Sequence, residues 1–401
     1  MKKYIILLFI CFAFAAKAQT IKQLKQDMYG IASDATEGRF TASPGYLKAA
    51  NYVLNTLKTA GVKAHLQSVP FSWDDYSGSV LTIQGKNYLH NSPNFIVLRH
   101  GIAGSGKWVV LAPGDSVKGK PAGVVLLPNK NQADDWETAV IRQYRFGYMH
   151  YQPDGMNVPD GTPTIMVSPL LAKILVEGDS VEVLLKYRSE SKTGYNVIGK
   201  AAGTNPKLAH QAIIIGAHLD HIGRIGNHIY NGANDDASGC VAELGVAKML
   251  AAHPGKRPVI VAFFCGEELN LKGSRWFADH LGVPQSDILM TVNLEQLGSK
   301  HRSFGGVWAL GDPQFKTAFM KAGKAFAASD LQFAPTDSVK EVLSNTDTYS
   351  FMNKHIPSLL LGSGGFDEHH TPQDKIDLID FPHLQKVSRL LTRFIRQIAD
   401  H

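Results

Sequence analysis

Apolar runs of strand length alternate with longer helix-like runs from about residue 196 to the end of the chain. When a helix connects two consecutive strands, the strands usually pair in parallel, so this alternation predicts an α/β fold. We expect a central mixed, mostly parallel sheet with helices on both faces, whose functional site lies beyond the carboxyl ends of the strands. The expected strands are 212–216, 259–264, 288–294, 307–310 and 358–361, and the expected helices are 239–252, 274–280, 313–327, 346–354 and 382–399.

The first half of the chain changes texture twice. Residues 1–18 combine an N-terminal lysine pair, an apolar run and the sequence Ala16-Lys17-Ala18, which is the pattern of a cleaved secretory signal peptide. Residues 19–76 would begin the main domain, with helical spacing from 19 to about 69 and a helix entry at Ser43-Pro44-Gly45. Residues 77–190 hold short β-rich runs separated by Gly, Pro and Asp, which predicts a small β-rich insert. Residues 191–401 would complete the main domain.

Charge and composition disfavour two classes of partner. Cleavage after residue 18 would remove three lysines and no acids, so the formal net charge would fall from +6 to +3. No Lys/Arg-rich run remains, which disfavours a nucleic-acid surface. The N-terminal apolar run is too short to span a bilayer, so we expect an exported protein, periplasmic or secreted, without stable membrane insertion. A lipid anchor at Cys11 is the alternative.

The two cysteines that would remain after cleavage are Cys240 and Cys265. Two cysteines cannot form a disulfide framework, so an exported fold must depend on its core or on a metal. Free cysteine is usually buried, and we therefore expect two buried thiols. One bridge between them is the alternative.

Imidazoles and carboxylates follow four of the expected strands. They are His218, Asp220 and His221 in GAHLDH, Glu267 and Glu268 in CGEELN, Glu295 in NLEQLG, and His369 and His370 in GSGGFDEHHTPQD. The adjacent acids Asp235 and Asp236 precede the helix between the first two strands. Since the carboxyl ends of parallel strands meet at one edge of a sheet, these side chains should converge there.

Histidines and carboxylates without thiolates suit zinc or a similar metal. One catalytic zinc needs three protein ligands, and this set is large enough for two zinc ions. Asp235 could give one oxygen to each ion, and with Glu268 and Glu295 it would supply three of the four negative charges needed. Glu267 would then be free to move protons. Asp236 would cap the helix or order its loop.

The motifs GAHLDH, GANDDASG, GEELNLKGS, NLEQLG and HTPQD occur in one order that resembles the co-catalytic zinc aminopeptidase family. That family also contains glutamate carboxypeptidases and glutaminyl cyclases. The resemblance extends from about Glu37 onward, and SNTDTYSF is similar to a further family segment. The insert resembles the protease-associated domain of many members. The resemblance implies a zinc exopeptidase fold and peptide substrates.

Roles for individual residues follow from the resemblance. It implies two Zn²⁺ ions, one on His218, Asp235 and Glu295 and the other on Asp235, Glu268 and His370. It also implies that Glu267 is the general base and acid, that Asp220 orients His218, and that the Asp235–Asp236 peptide bond is cis. His369 is the alternative to His370, and the His-Thr-Pro order of the family favours His370.

The activity expected from this site is hydrolysis of a peptide bond near a chain terminus. The resemblance favours an aminopeptidase. A carboxypeptidase is the first alternative, and it would need an arginine to bind the substrate carboxylate. Arg224, Arg275 and Arg302 lie near the motifs. A glutaminyl cyclase, or a binding protein without activity, are further alternatives; the complete ligand set favours an enzyme.

Overall fold

The structure is a computed structural model, and it describes residues 19–90, 94–98, 102–112, 115–117, 119–128, 136, 140, 158–159, 161–225 and 227–401. The predicted signal peptide and Cys11 lie outside these residues, as do parts of the predicted insert.

Within the described residues the strands are numbered in chain order. They are β1 (Lys63–Asp75), β2 (Val80–Ile83), β3 (Lys86–Leu89), β4 (Phe95–Val97), β5 (Gly104–Leu111), β6 (Val124–Leu126), β7 (Thr164–Val167), β8 (Ser180–Leu185), β9 (Arg188–Ala201), β10 (Ala212–His218), β11 (Gly223–Ile225), β12 (His228–Tyr230), β13 (Val259–Phe264), β14 (Ile288–Glu295), β15 (Val307–Gly311), β16 (Leu331–Pro335) and β17 (Ser358–Gly362).

The α-helices of the same residues are α1 (Ile21–Ala32), α2 (Pro44–Thr59), α3 (Pro169–Ala172), α4 (Ala237–Ala252), α5 (Lys272–Asp279), α6 (Lys316–Ala322), α7 (Thr336–Ser344), α8 (Thr348–Met352) and α9 (Phe381–Asp400). Short 3₁₀ segments connect several of them.

The central sheet has the strand order β1-β9-β13-β10-β14-β17-β15-β16 in the described part of the chain. Its middle strands β13, β10, β14 and β17 are parallel to one another. Antiparallel pairing joins β1 to β9, β9 to β13 and β15 to β17. The predicted mixed α/β sheet is therefore confirmed, and its parallel centre brings four strand ends to one edge.

The sheet is covered on both faces because its strands alternate their side chains. Along β10, Ile213 and Ile215 pack into the core with α1, α2, α4 and α9. Ile214 points the opposite way, into the core with Phe277 of α5 and Phe351 of α8. A strand buried on both faces reads as a continuous apolar run, which is why its sequence was recognisable.

The prediction of helix from 19 to about 69 is wrong beyond Thr59. Helix α2 ends at Thr59, followed by Gly61 at φ +88°, a left-handed conformation that glycine adopts without a steric penalty. The chain then enters β1, which pairs with β9 along its whole length. The helix expected at 313–327 is also shorter: a 3₁₀ turn, Pro313–Phe315, precedes α6, which ends at Ala322.

A second sheet lies between β1 and β9 in the sequence. It has the order β3-β2-β8-β5-β6-β7-β4 in the described residues. A separate apolar cluster packs on it, with Phe95, Trp108 and Ile165 fully buried. This sheet has its own core, distinct from the cores of the central sheet.

Cys240 and Cys265 are both buried and free. This was expected, because free cysteine is usually buried. In the part of the chain that is described, no helix combines the length and the apolar character needed to cross a bilayer.

A buried glutamate joins α4 to the sheet and provides a test of the core. Glu243 is fully buried, and its Oε1 accepts a hydrogen bond of 2.7 Å from the main-chain N–H of Ala262 in β13. Burial raises the pKa of Glu243 well above its ordinary value of 4.5. Above that pH the unfolded chain releases this proton while the folded protein retains it, so folding loses stability as the pH rises.

Glu243→Gln cannot ionise and should escape this loss. We expect its melting temperature to improve relative to wild type as the pH rises above about 5, measured by scanning calorimetry. Glu243→Leu, which removes the acceptor, should cost about 1–3 kcal/mol below about pH 5, and this cost should shrink as the pH rises because Leu cannot ionise either. A difference between the Gln variant and wild type that does not change with pH would contradict this account.

Candidate metal centre

The four parallel strands carry polar side chains to one edge of the central sheet. His218 is the last residue of β10, and Glu295 is the last residue of β14. Glu267 and Glu268 follow β13 directly, and His370 lies in the segment after β17. The convergence expected from the sequence is present in the structure.

Asp235 lies at the centre of these side chains and faces in two directions. Its Oδ1 is 3.1 Å from Nε2 of His218. Its Oδ2 is 3.2 Å from Nε2 of His370. One carboxylate therefore joins two separate sets of donor atoms.

The first set, here called the first site, consists of His218, Asp235 and Glu295. Nε2 of His218 lies 3.7 Å from Oε2 of Glu295 and 3.1 Å from Oδ1 of Asp235. Oε2 of Glu267 lies 4.0 Å from the same nitrogen. A carboxylate outside the ligand set is thus adjacent to it.

The second set, here called the second site, consists of His221, Asp235, Glu268 and His370. Oε2 of Glu268 lies 3.3 Å from Nε2 of His370. Nδ1 of His221 lies 2.8 Å from Oε1 of Glu268 and 3.8 Å from Oδ2 of Asp235. Sequence reasoning noted His221 in GAHLDH but assigned it no role. The position of His221 three residues after His218, just past the strand end, was the available signal.

The donor distances of the second site fit the geometry of zinc. Donor atoms at about 2.0–2.2 Å from a tetrahedral ion lie roughly 3.3–3.6 Å from one another. The separations above are spread around that value. Four atoms of the second site are buried without a hydrogen-bond partner in the described residues: Oδ2 of Asp235, Oε1 of Glu268 and both ring nitrogens of His221. Buried polar atoms are almost always paired, so such a cluster suits a bound cation.

The electrostatics of the cluster also favour a cation. Burial raises the pKa of Glu295 to about 8 and, with the charge of neighbouring Glu268, raises the pKa of Glu267 well above its ordinary value. Burial acts against the charged form of His370, but Glu268 and Asp235 reverse this and raise its pKa to about 10. Too much negative charge is therefore collected in one buried volume, and a divalent ion would balance it.

The two adjacent glutamates differ in exposure. The side chain of Glu267 is 14% exposed, whereas that of Glu268 is 2% exposed. Glu267 can thus be reached from solvent, while Glu268 is enclosed among the histidines of the second site. Two adjacent residues with identical side chains therefore differ in environment only because of their positions.

Asp220 contacts both His218 and Glu267. Its main-chain oxygen lies 3.1 Å from Nδ1 of His218, so this nitrogen donates to it and Nε2 is left to face Asp235. Its carboxylate oxygen is 3.8 Å from the same Nδ1 and accepts a hydrogen bond from the main-chain N–H of Glu267. Asp220 therefore orients the imidazole chiefly through its carbonyl, and its carboxylate fixes the backbone at Glu267.

Asp236 caps α4, as the sequence predicts. Its Oδ1 accepts hydrogen bonds from the main-chain N–H groups of Gly239 and Gln296. Ser238 bonds to Asn234 and to Leu297 and so connects the Asp235 loop to the end of β14. The peptide bond between Asp235 and Asp236 is cis, as the family resemblance implies.

His369 and His370 both approach Asp235. Nε2 of His369 lies 3.0 Å from Oδ2 of Asp235, and its ring stacks on that of His370 at 3.8 Å between centroids. His370, however, also reaches Glu268 and is 27% exposed, against 44% for His369. The geometry favours His370 as the ligand.

Two buried charges hold the Asp235 loop from behind, and sequence reasoning gave neither a role. Arg39 is fully buried and donates to the main-chain oxygens of Leu219, Asn231 and Gly232. The carboxylate of Asp374 accepts from the main-chain N–H groups of Asn234 and Asp235. The partners of Arg39 lie about 180–193 residues away in sequence, so no local pattern indicates them.

Asp347, in SNTDTYSF, is a further buried acid near the site. Neither of its carboxylate oxygens has a hydrogen-bond partner in the described residues, and burial raises its pKa to about 6. It adds to the negative potential felt by Glu267 and Glu295.

Arg39→Lys tests whether this support maintains the loop. Lysine keeps the charge but lacks the planar fork that reaches three carbonyls at once. We expect a loss of roughly 2–4 kcal/mol in the free energy of unfolding and weaker metal retention, measured by urea denaturation and by zinc content after dialysis. The exposed residue Arg393 gives the matched control, Arg393→Lys, which should change neither quantity. Equal stability of both variants would refute the role of Arg39.

Comparisons with known proteins agree with the motifs. A family model described as "Peptidase family M28" matches residues 196–395. A probable leucine aminopeptidase 2 of Aspergillus oryzae is 29% identical over 30% of this chain and 23% of its own length. Aminopeptidase YwaD of Bacillus subtilis is 26% identical over 53% of this chain and 46% of its own length. The chain thus spans less than half the length of these curated relatives.

The fold comparison covers nearly the whole chain. The structure of BSAP, a zinc aminopeptidase from Bacillus subtilis, superposes with a TM-score of 0.70 over 95% of each chain at 16% identity. This likeness concerns the fold, and the family model covers the strand ends that carry the site. With the motifs, the fold and the family match in agreement, the chain belongs to peptidase family M28.

Proposed function

We propose that this protein is a zinc-dependent exopeptidase, and specifically an aminopeptidase that removes N-terminal residues from peptides. Membership in family M28 supports a peptidase with peptide substrates. The aminopeptidase names of its relatives support the choice of terminus.

The observation that carries the proposal is the central position of Asp235. Its two oxygens face two histidines that belong to separate donor sets. We assign one zinc ion to the first site and one to the second site, with Asp235 shared. This set contains the five ligands implied by the family resemblance, which are His218, Asp235, Glu268, Glu295 and His370.

The roles of the remaining groups follow from their positions. Zinc held by these ligands would lower the pKa of a water molecule and polarise the substrate carbonyl. Glu267 is adjacent to His218, is partly exposed and is not needed as a ligand, so it accepts the proton of the attacking water. It then donates that proton to the leaving amine. Asp220 keeps His218 and the backbone of Glu267 in place.

The charges near the site favour an N-terminal substrate. With the zinc charge balanced by its ligands, the unligated acids Glu267 and Asp347 would attract the cationic α-amine of a peptide and repel a C-terminal carboxylate. Two of the arginines considered for a carboxylate clamp are used within the protein. Arg275 donates to Asn270 and lies over the ring of Tyr349, and Arg302 donates to Ser299 and Asp380.

Export and the inserted domain belong to the same proposal. We infer a signal peptide at 1–18, an exported location, periplasmic or secreted, and a protease-associated-type domain at 77–190. The second sheet, with its separate core, supports that domain. The flanking segments, 19–76 and 191–401, would together form the peptidase domain.

A panel of aminoacyl chromogenic substrates with matched N-acetylated and C-terminal controls tests the activity. We expect cleavage of free N-termini only, lost on strong chelation and restored by zinc. Cleavage of blocked substrates from the carboxyl end would establish a carboxypeptidase instead. Cyclisation of N-terminal glutamine without hydrolysis would establish a glutaminyl cyclase, and no turnover with both zinc sites filled would favour a binding protein.

Glu267→Gln and Glu268→Gln separate the two neighbouring roles. Glu267→Gln keeps the shape but removes the basicity, so kcat should fall by about 10²–10⁴ while KM and zinc content stay near wild type. Glu268→Gln replaces an anionic donor by a neutral amide, which is a poor zinc ligand, so zinc content should fall and excess zinc should restore part of the activity.

Glu341→Gln, at an exposed glutamate, is the matched control and should behave as wild type. The reverse pattern, with metal lost in the Glu267 variant and only rate lost in the Glu268 variant, would exchange the two assignments. Full rate and full metal in both variants would remove the cluster from the active site.

A further inference from the structure

The two donor sets around Asp235 are unequal in number. The family resemblance assigns three protein donors to the first site, whereas four side chains converge at the second site, because His221 is added to Asp235, Glu268 and His370. We propose that His221 is a direct fourth protein ligand of the second zinc ion. This inference rests on the proposed function, since it concerns the metal content of the same site.

The distances around the second site match a tetrahedral set. Four of its donor pairs are separated by 2.8, 3.2, 3.3 and 3.8 Å. Around a single zinc ion such separations should be roughly 3.3–3.6 Å. All four residues are brought there by main-chain segments beside strand ends, so small side-chain movements suffice to equalise these distances.

A hydrogen bond between His221 and Glu268 is the competing explanation for their closeness. Nδ1 of His221 and Oε1 of Glu268 are 2.8 Å apart, but the two atoms are not aligned as donor and acceptor, and neither has a hydrogen-bond partner in the described residues. Nε2 of His221 is also without one, and the side chain is fully buried. A buried imidazole with both nitrogens unpaired is costly, and coordination of a metal ion would satisfy one of them. Nδ1 of His221, 3.8 Å from Oδ2 of Asp235, is the nitrogen placed to bind the ion.

A four-ligand second site would differ in kind from the first site. Zinc sites closed by four protein ligands are typically structural, and sites with three retain an open position for water or substrate. The second zinc would therefore hold the shared carboxylate of Asp235 in place, and the first zinc, next to Glu267, would be the one that meets the attacking water. The second site should also keep its metal longer during chelation.

Cadmium-113 NMR of protein labelled with nitrogen-15 histidine tests ligation directly, because a metal-bound imidazole shows a scalar coupling to cadmium. The metal-free protein is loaded with two equivalents of ¹¹³Cd²⁺. We expect three coupled imidazoles in wild type, from His218, His221 and His370. His221→Asn, which retains a polar side chain, should lose one coupling. The affinity of this variant for the more tightly bound of the two zinc ions should fall by at least about tenfold.

His369→Asn is the matched control, since His369 approaches the same oxygen of Asp235 but is the more exposed of the two neighbouring histidines. It should retain all three couplings. Circular dichroism confirms that each variant is folded.

Two couplings in wild type, both retained in His221→Asn, would overturn this inference and leave the two-metal proposal intact. If wild type shows three couplings and one of them is lost in His369→Asn, while all three are retained in His221→Asn, the fourth position belongs to His369 instead. Failure of the wild-type protein to bind two equivalents would contradict the proposed function itself.

Discussion

The carboxylate of Asp235 lies between two imidazoles in the protein interior, and the surrounding architecture keeps it there. A buried anion in such a position is costly unless positive charge balances it. Asp374 orients the loop by accepting hydrogen bonds from its main-chain N–H groups, and Arg39 donates to the adjoining carbonyls. Asp236 caps the start of α4. Three buried side chains therefore support the loop, and the two oxygens of Asp235 face the donor sets.

The parallel centre of the sheet makes this arrangement possible. Strands β10, β13, β14 and β17 end at the same edge, so ligands far apart in sequence meet without long connecting loops. Glu267 and Glu268 are adjacent in sequence after β13 but have different surroundings. The side chain of Glu267 is partly exposed beside the first site, and that of Glu268 is enclosed within the second site.

Sequence patterns were sufficient where the governing interactions are local. The strands of the sheet centre were recognisable from continuous apolar runs, and the polar residues after them indicated where candidate donor atoms converge. The predicted helix beyond residue 59 failed because β1 is stabilised by pairing with β9, more than a hundred residues away. Arg39 was overlooked for the same reason. His221 was visible in its motif, but only the geometry places its imidazole beside Glu268.

The central claim is that one carboxylate holds two metal ions. Crystals of the protein purified with zinc can be measured at the zinc absorption edge, where anomalous scattering locates each ion independently of the protein coordinates. The account predicts two anomalous peaks, one on each side of Asp235, with one carboxylate oxygen directed at each. A single peak, or two peaks that do not share Asp235, would contradict it.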